Sequence, residues 1–361
     1  MSDGDDGGVL IPGLATCVGS LPHTDPARAA ATVLGALPDL PAAPSLPRRH
    51  HLEAMVPQAA WGITGVTVAP DGSLLVDPTK LDVEANPADD PRGRGGLPLE
   101  GHRGAVALLD AMAAARAGPG TGHGAGARAV KVQHTGPVTL GLALVAAGAR
   151  PAVAFAVAAT AVRHRVHQLL AVVATTVPGL PVVLVLDEPS LGAATLGHAP
   201  IGVEEVVDLL SGGLAAAESA PVGAAAVAGV HCCGPADWAA MLQAGPTLVS
   251  VPVEVARTLR APDIGPFLER GGWVAWGAVP TDGPVAGVDG HGAARLWRAL
   301  GESWHALADG GVDPVLLRQR ALITPACGLV RHDEAQVALA LRLTTILAGR
   351  IAAGRPTVAV R

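Results

Sequence analysis

The chain has 361 residues, half of them hydrophobic, so it can bury a large core and is too apolar to be natively disordered. Acidic residues outnumber basic ones, 31 to 25, which leaves no basic excess to neutralise phosphates and excludes nucleic acid as the expected partner. The four cysteines, Cys17, Cys232, Cys233 and Cys327, are too few for a disulfide scaffold, so reduced thiols in a cytoplasmic protein are expected.

Residues 1–8 read as a disordered leader, acidic and small, without the basic and apolar regions of a signal peptide. Residues 9–361 read as one domain, because the Pro/Ala-rich stretch 38–47, the mixed stretch 86–101 and the Gly-rich loop 118–126 separate no regions of different composition. Short apolar runs near 14–20, 62–68, 128–134, 181–187, 225–232, 247–254, 272–279 and 321–326 predict strands. Helical stretches at 25–36, 102–116, 151–176, 203–218, 235–243, 291–308 and 333–353 lie between them. Thr24-Asp25-Pro26 and His332-Asp333-Glu334 are helix-start signals. Val166 to Leu186 lacks charge, but Pro178, Gly179 and Pro181 divide it into a helix, a turn and a buried strand rather than a membrane span. Eight continuous apolar strands with helical stretches between them predict an α/β fold: a single (β/α)8 TIM barrel.

In such a barrel, chemistry gathers where the strands end. Those ends carry Gly19-Ser20, His134-Thr135-Gly136, Asp187-Glu188-Pro189, His231-Cys232-Cys233, Glu254 and Cys327. His231 and Cys233 are two apart, so an extended backbone puts both on one face and Cys232 on the other. Imidazole, thiolate and carboxylate donors are what Zn2+ takes, and His231, Cys233, Glu254 and Cys327 delivered to one rim would complete its shell. Asp187 and Glu188 suit binding of a substrate ammonium or general acid–base work, or equally the capping of a helix N-terminus. Trp273 and Trp276 are expected in wall packing.

Five segments in order resemble the cobalamin-independent methionine synthase family, in its C-terminal catalytic barrel or its short archaeal and actinobacterial forms. Gly19-Ser20-Leu21-Pro22-His23-Thr24 is similar to an IGSFPQT-type segment and Thr135-Gly136-Pro137-Val138-Thr139 to LTGPVT. Leu186-Asp187-Glu188-Pro189 is similar to IDEPA, His231-Cys232-Cys233 to H-x-C, and Pro325-Ala326-Cys327-Gly328-Leu329 to PDCGLK. The resemblance implies Zn2+ on His231, Cys233, Glu254 and Cys327, and methyl transfer to the homocysteine thiol, giving methionine. It implies that Ser20 and the Val18 backbone hold the homocysteine carboxylate and that Asp187 holds its amino group. The methyl donor it implies is a methylated folate or a methyl-corrinoid protein.

The sequence also departs from that pattern. The second, N-terminal barrel of the long enzymes is not expected among these 361 residues, the stretch after the seventh strand, Val279-Pro280-Thr281-Asp282, lacks the family's histidine, and Val330 stands where a lysine is common. The competing expectations are a zinc methyltransferase for another thiol, a uroporphyrinogen-decarboxylase-like barrel, and a non-catalytic barrel that binds zinc or a metabolite.

Overall fold

A computed structural model describes residues 8–118, 124, 126–223, 225–285 and 290–355, without the side chains of 290 and 291. The expected leader, apart from Gly8, and residues 119–123 and 125 of the Gly-rich loop lie outside the described residues. The chain is an α/β protein built on a curled parallel sheet of six strands in sequence order: β3 (Val130–Thr135), β4 (Val182–Asp187), β5 (Val227–His231), β6 (Leu248–Pro252), β7 (Trp273–Val279) and β8 (Ala321–Pro325). Helices connect successive strands and cover the outer face, as right-handed parallel crossovers require. Asp25 caps the helix Pro26–Ala36 through Ala27 N (2.8 Å), and Asp333 caps Glu334–Ala352 through Gln336 N (2.8 Å), as the sequence signals predict.

Two of the eight expected strands are corrected. Residues 62–68 contribute no strand to the parallel sheet: Val66–Val68 (β1) pairs antiparallel with Leu74–Val76 (β2) in a separate hairpin. The cause is local, since Pro70-Asp71-Gly72 makes a tight turn, with Gly72 at φ +85° and Asp71 Oδ1 accepting from Ser73 N. The hairpin is only half-buried, whereas β4, β5, β6, β7 and β8 are buried throughout. Residues 14–20 form isolated bridges rather than a regular strand. Thr16 N donates to Ile323 O (3.0 Å) along β8, while Ala43 N donates to Lys131 O (2.8 Å) along β3. Ser45 N in turn donates to Gly19 O (3.1 Å), so segments 13–20 and 41–45 join one another between the two edges of the sheet. Pro41 and Pro44 lack the N–H a ladder needs, which is why the second segment reads as a loop.

The strands alternate between two cores. Val183, Val185, Val227, Leu248, Trp273, Ala275 and Leu322 pack with Leu10, Leu14 and Leu40 on the inner face. Leu184, Leu186, Val230, Val249, Val251, Trp276 and Ile323 face the helices. Each fully buried side chain of this size contributes about 1.5–3 kcal/mol, so the inner apolar cluster anchors the strands whose C-terminal ends carry polar groups. Val166–Leu186 is the end of a helix, a turn and most of β4, as expected. Among the described residues one helix, Glu334–Ala352, is long and apolar enough to cross a membrane, and it buries Val337, Leu341, Leu347 and Ile351 inside the protein.

Candidate metal and substrate site

The inner face turns polar toward the strand ends, where Lys131, Gln133, Asp187, His231, Ser250 and Thr324 replace aliphatic residues. Above them opens a cavity of about 740 Å³ whose walls include Val18, Ser20, Asp187, His231, Cys233, Glu254, Asp282, Cys327 and Arg331. Val18, Ser20, Asp187, His231, Cys233, Glu254 and Cys327, singled out from the sequence, therefore border one space, whereas Glu188 does not.

His231 closes β5 and Cys233 follows two residues later on the same face, while Cys232 is buried in the outer core. Cys327 arrives from the other side of the sheet through an irregularity in the β7–β8 pairing. Gly277 makes this approach possible: a Cβ there would lie 2.7 Å from Ala326 Cα and 2.9 Å from Pro252 Cα, so only glycine lets three backbones meet at the rim. One ligand atom each from His231, Cys233 and Cys327 lies within 4.8 Å of the other two. Glu254 does not join that group; it is exposed, in the turn Val253–Thr258 just after β6. Partial desolvation of its carboxyl by the neighbouring cavity wall, and then the Asp282 carboxylate, raise its pKa.

The trio suits a divalent ion. His231 Nδ1 is 2.9 Å from Ser250 Oγ, and Nε2 is buried with no hydrogen-bond partner among the described residues. A ring that donates Nδ1–H to Ser250 keeps a lone pair on Nε2, the arrangement found in metal-bound imidazoles. The Cys233 thiol beside it, and then the His231 imidazole, pull Cys327 well below the ordinary thiol range, while Cys233 is pushed up. A tetrahedral zinc ion spaces N and S ligand atoms roughly 3.6–3.8 Å apart, which this cluster can meet. The orphaned Nε2 and the paired thiols are thus a donor set that fits Zn2+.

Asp187 and Glu188 divide the two roles left open by the sequence. Glu188 points away from the cavity and accepts from Val138 N (2.9 Å) and Thr139 N (2.7 Å), capping the helix Pro137–Ala146. Gly136 is required for this, because a Cβ there would lie 2.2 Å from Glu188 Oε1. Asp187 turns inward, and its buried Oδ1 has no hydrogen-bond partner among the described residues. Burial pushes the Asp187 carboxyl up to about 6, against the pull of Lys131 and His231. Ser20 lies beside the cysteine arm, its carbonyl accepting from Leu329 N (2.8 Å). The Val18 carbonyl accepts from Lys131 Nζ (2.8 Å).

Two contributors were not singled out as site residues from the sequence. Ser250 sits inside an apolar strand and becomes meaningful only through its register partner His231. Lys131 carries a readable signal, since Lys131, Gln133 and Thr135 form a polar stripe of period two along a strand otherwise buried.

No family model matches the sequence, and no curated protein matches it. Among solved structures the chain is similar to a B12-independent methionine synthase from Shewanella sp. W3-18-1 in complex with selenomethionine, at 15% identity and a TM-score of 0.39, over 63% of each chain. It thus spans less than two thirds of that enzyme's length. It is also similar to a Burkholderia cenocepacia J2315 protein provisionally assigned as a lyase/mutase, at 13% identity and a TM-score of 0.33, over 89% of this chain and 78% of the other.

Proposed function

We propose that this protein transfers a methyl group to the thiol of homocysteine, forming methionine, with Zn2+ as its resident metal. The observation that carries the reading is the convergence of His231, Cys233 and Cys327 at one wall of a cavity that Asp187 and Ser20 also line. In this reading the fold is a (β/α)8 barrel in which segments 13–20 and 41–45 stand for two irregular staves. His231, Cys233 and Cys327 hold the metal, with Glu254 at the rim as the fourth donor. Zn2+ there supplies Lewis acidity that lowers the pKa of a thiol and fixes its position. The protein's own groups orient the amino acid: the Asp187 carboxylate accepts from the substrate ammonium, and the Ser20 hydroxyl with the Val18 N–H donates to the carboxylate. That positioning turns an encounter of two solutes into a reaction within one complex. The donor is a methylated folate or a methyl-corrinoid protein, entering through the open mouth beside Asp282 and Arg331.

The test is methionine formation from homocysteine with each donor in turn, with the metal content of the same sample measured. About one zinc per chain and product with at least one donor are expected, both lost in Cys233→Ser. A metal-free wild type, or activity that survives Cys233→Ser and Cys327→Ser, overturns the proposal.

A further inference from the structure

Lys131 is one of only two lysines in the chain, and it is 5% exposed, on the inner face of β3. Burying an ammonium is costly unless its N–H groups and its charge are both answered. Two of its N–H groups are answered, by the Val18 carbonyl (2.8 Å) and by Gln133 Oε1 (3.1 Å). Burial disfavours its charge and lowers its pKa, and the Asp187 carboxylate works against that. Lys131 and Asp187 line the same small inner cavity, yet no hydrogen bond joins them and Asp187 Oδ1 keeps no partner among the described residues. The ammonium therefore lies near the carboxylate without a hydrogen bond to it, and Asp187 also borders the large cavity.

The other end of the lysine's reach matters as much. Segment 13–20 lacks the continuous ladder of a regular strand. Its last residues are held by Ser45 N on Gly19 O, Leu329 N on Ser20 O, Lys131 on Val18 O and Gln133 against Gly19, whose missing Cβ would lie 2.0 Å from the Gln133 amide nitrogen. We infer that Lys131 is the positioning residue of the amino-acid-binding wall, fixing the Val18–Ser20 segment and the Asp187 carboxylate at once so that they grip the two charged ends of an α-amino acid. The inference rests on the methyl-transfer reading for the identity of that ligand. It assigns Lys131 to specificity: the site distinguishes a thiol that carries an α-amino group from one that does not.

The experiment measures binding of homocysteine and of 4-sulfanylbutanoate, which keeps the thiol and carboxylate but lacks the amino group, to the zinc-loaded protein by calorimetry. Wild type should prefer homocysteine. In Lys131→Met that preference should fall about tenfold, the scale of losing a charge-assisted contact, with zinc content unchanged. Lys131→Gln, which keeps a donor for the Val18 carbonyl and so guards against misfolding, should lose the same preference while binding 4-sulfanylbutanoate nearly as wild type does. Equal weakening of both ligands, an unchanged preference, a wild type with no preference, or failure of both variants to fold overturns the role. Absence of methionine formation by a wild type that shows the preference would instead overturn the methyl-transfer reading and leave this one standing.

Discussion

Ser250 Oγ lies 2.9 Å from His231 Nδ1, and the two residues pair directly across the β5–β6 ladder. The backbone register therefore sets the imidazole's orientation, and Ser250 Oγ can accept from Nδ1–H in the tautomer whose Nε2 lone pair faces the thiols. Ser250→Ala removes that selection and leaves a buried N–H unpaired. Affinity for Zn2+ should fall about 10–100-fold, the usual cost of losing a partner behind a metal-binding histidine. Competition against a chromophoric chelator measures it, and unchanged affinity would show that the ring is oriented by packing alone.

The three cysteines near the rim should separate cleanly. Cys233 and Cys327 belong to the cluster, whereas Cys232 is fully buried on the opposite face, where burial pushes its thiol up to about 11. Cys233→Ser and Cys327→Ser should each lower zinc well below one per chain. Cys232→Ala should keep full zinc and lose about 1 kcal/mol of stability, an ordinary core truncation. Metal analysis and urea unfolding on the three variants decide this, and zinc loss in Cys232→Ala would mean that the assignment of faces is wrong.

Much of this site was legible in the sequence because alternation along a strand is rigid. Once β5 was recognised, His231 and Cys233 had to share a face, and the register of β4 and β5 puts Asp187 directly opposite His231. The strand count was less legible. The true neighbour of β3 is Pro41-Ala42-Ala43-Pro44-Ser45, whose prolines hide it, while Val66-Thr67-Val68 has a strand's composition but is committed to a hairpin by Pro70-Asp71-Gly72. Glu254 shows a different limit: residues following a strand can be placed at a rim, but turn geometry decides where a side chain points. Ser250 was not legible as a site residue because its meaning lies in a partner 19 positions away, while Lys131 showed only as part of a polar stripe, its partner Val18 lying 113 positions away.

The pH dependence of folding should be governed in part by two histidines behind β3. Burial pulls His134 down to about 3 and His102 down to about 4; the charge of Arg165 lowers both further, and His102 also lowers His134. Both imidazoles stay neutral when folded but titrate near 6.5 when unfolded, so below that pH the unfolded chain binds more protons. Their contribution is fully present above pH 6.5 and is lost as the pH falls toward the folded values. In metal-free protein, His134→Leu should flatten the acid limb between pH 6 and 4 by about 1.4 kcal/mol per pH unit, one proton's worth. Urea unfolding across that range reads the slope, and equal slopes in the two proteins would mean that His134 is already solvated.

Ser20 and Gly328 form the tightest contact around the substrate end of the cavity: a Cβ on residue 328 would lie 1.9 Å from Ser20 Oγ but 3.3 Å from Ser20 Cβ. The obstruction is thus the hydroxyl, the same group proposed to donate to the substrate carboxylate. Gly328→Ala should cost about 1–3 kcal/mol, as overpacking does, and weaken homocysteine binding because the hydroxyl must swing away. Ser20→Ala alone should be nearly neutral for stability. Combining the two should recover most of the stability lost in Gly328→Ala, since Cβ to Cβ at 3.3 Å needs a shift of only a few tenths of an ångström. Binding should not recover, because the hydroxyl is gone. A double variant whose destabilisation is the sum of the single ones would place the cost in the backbone at Gly328 rather than in its contact with Ser20.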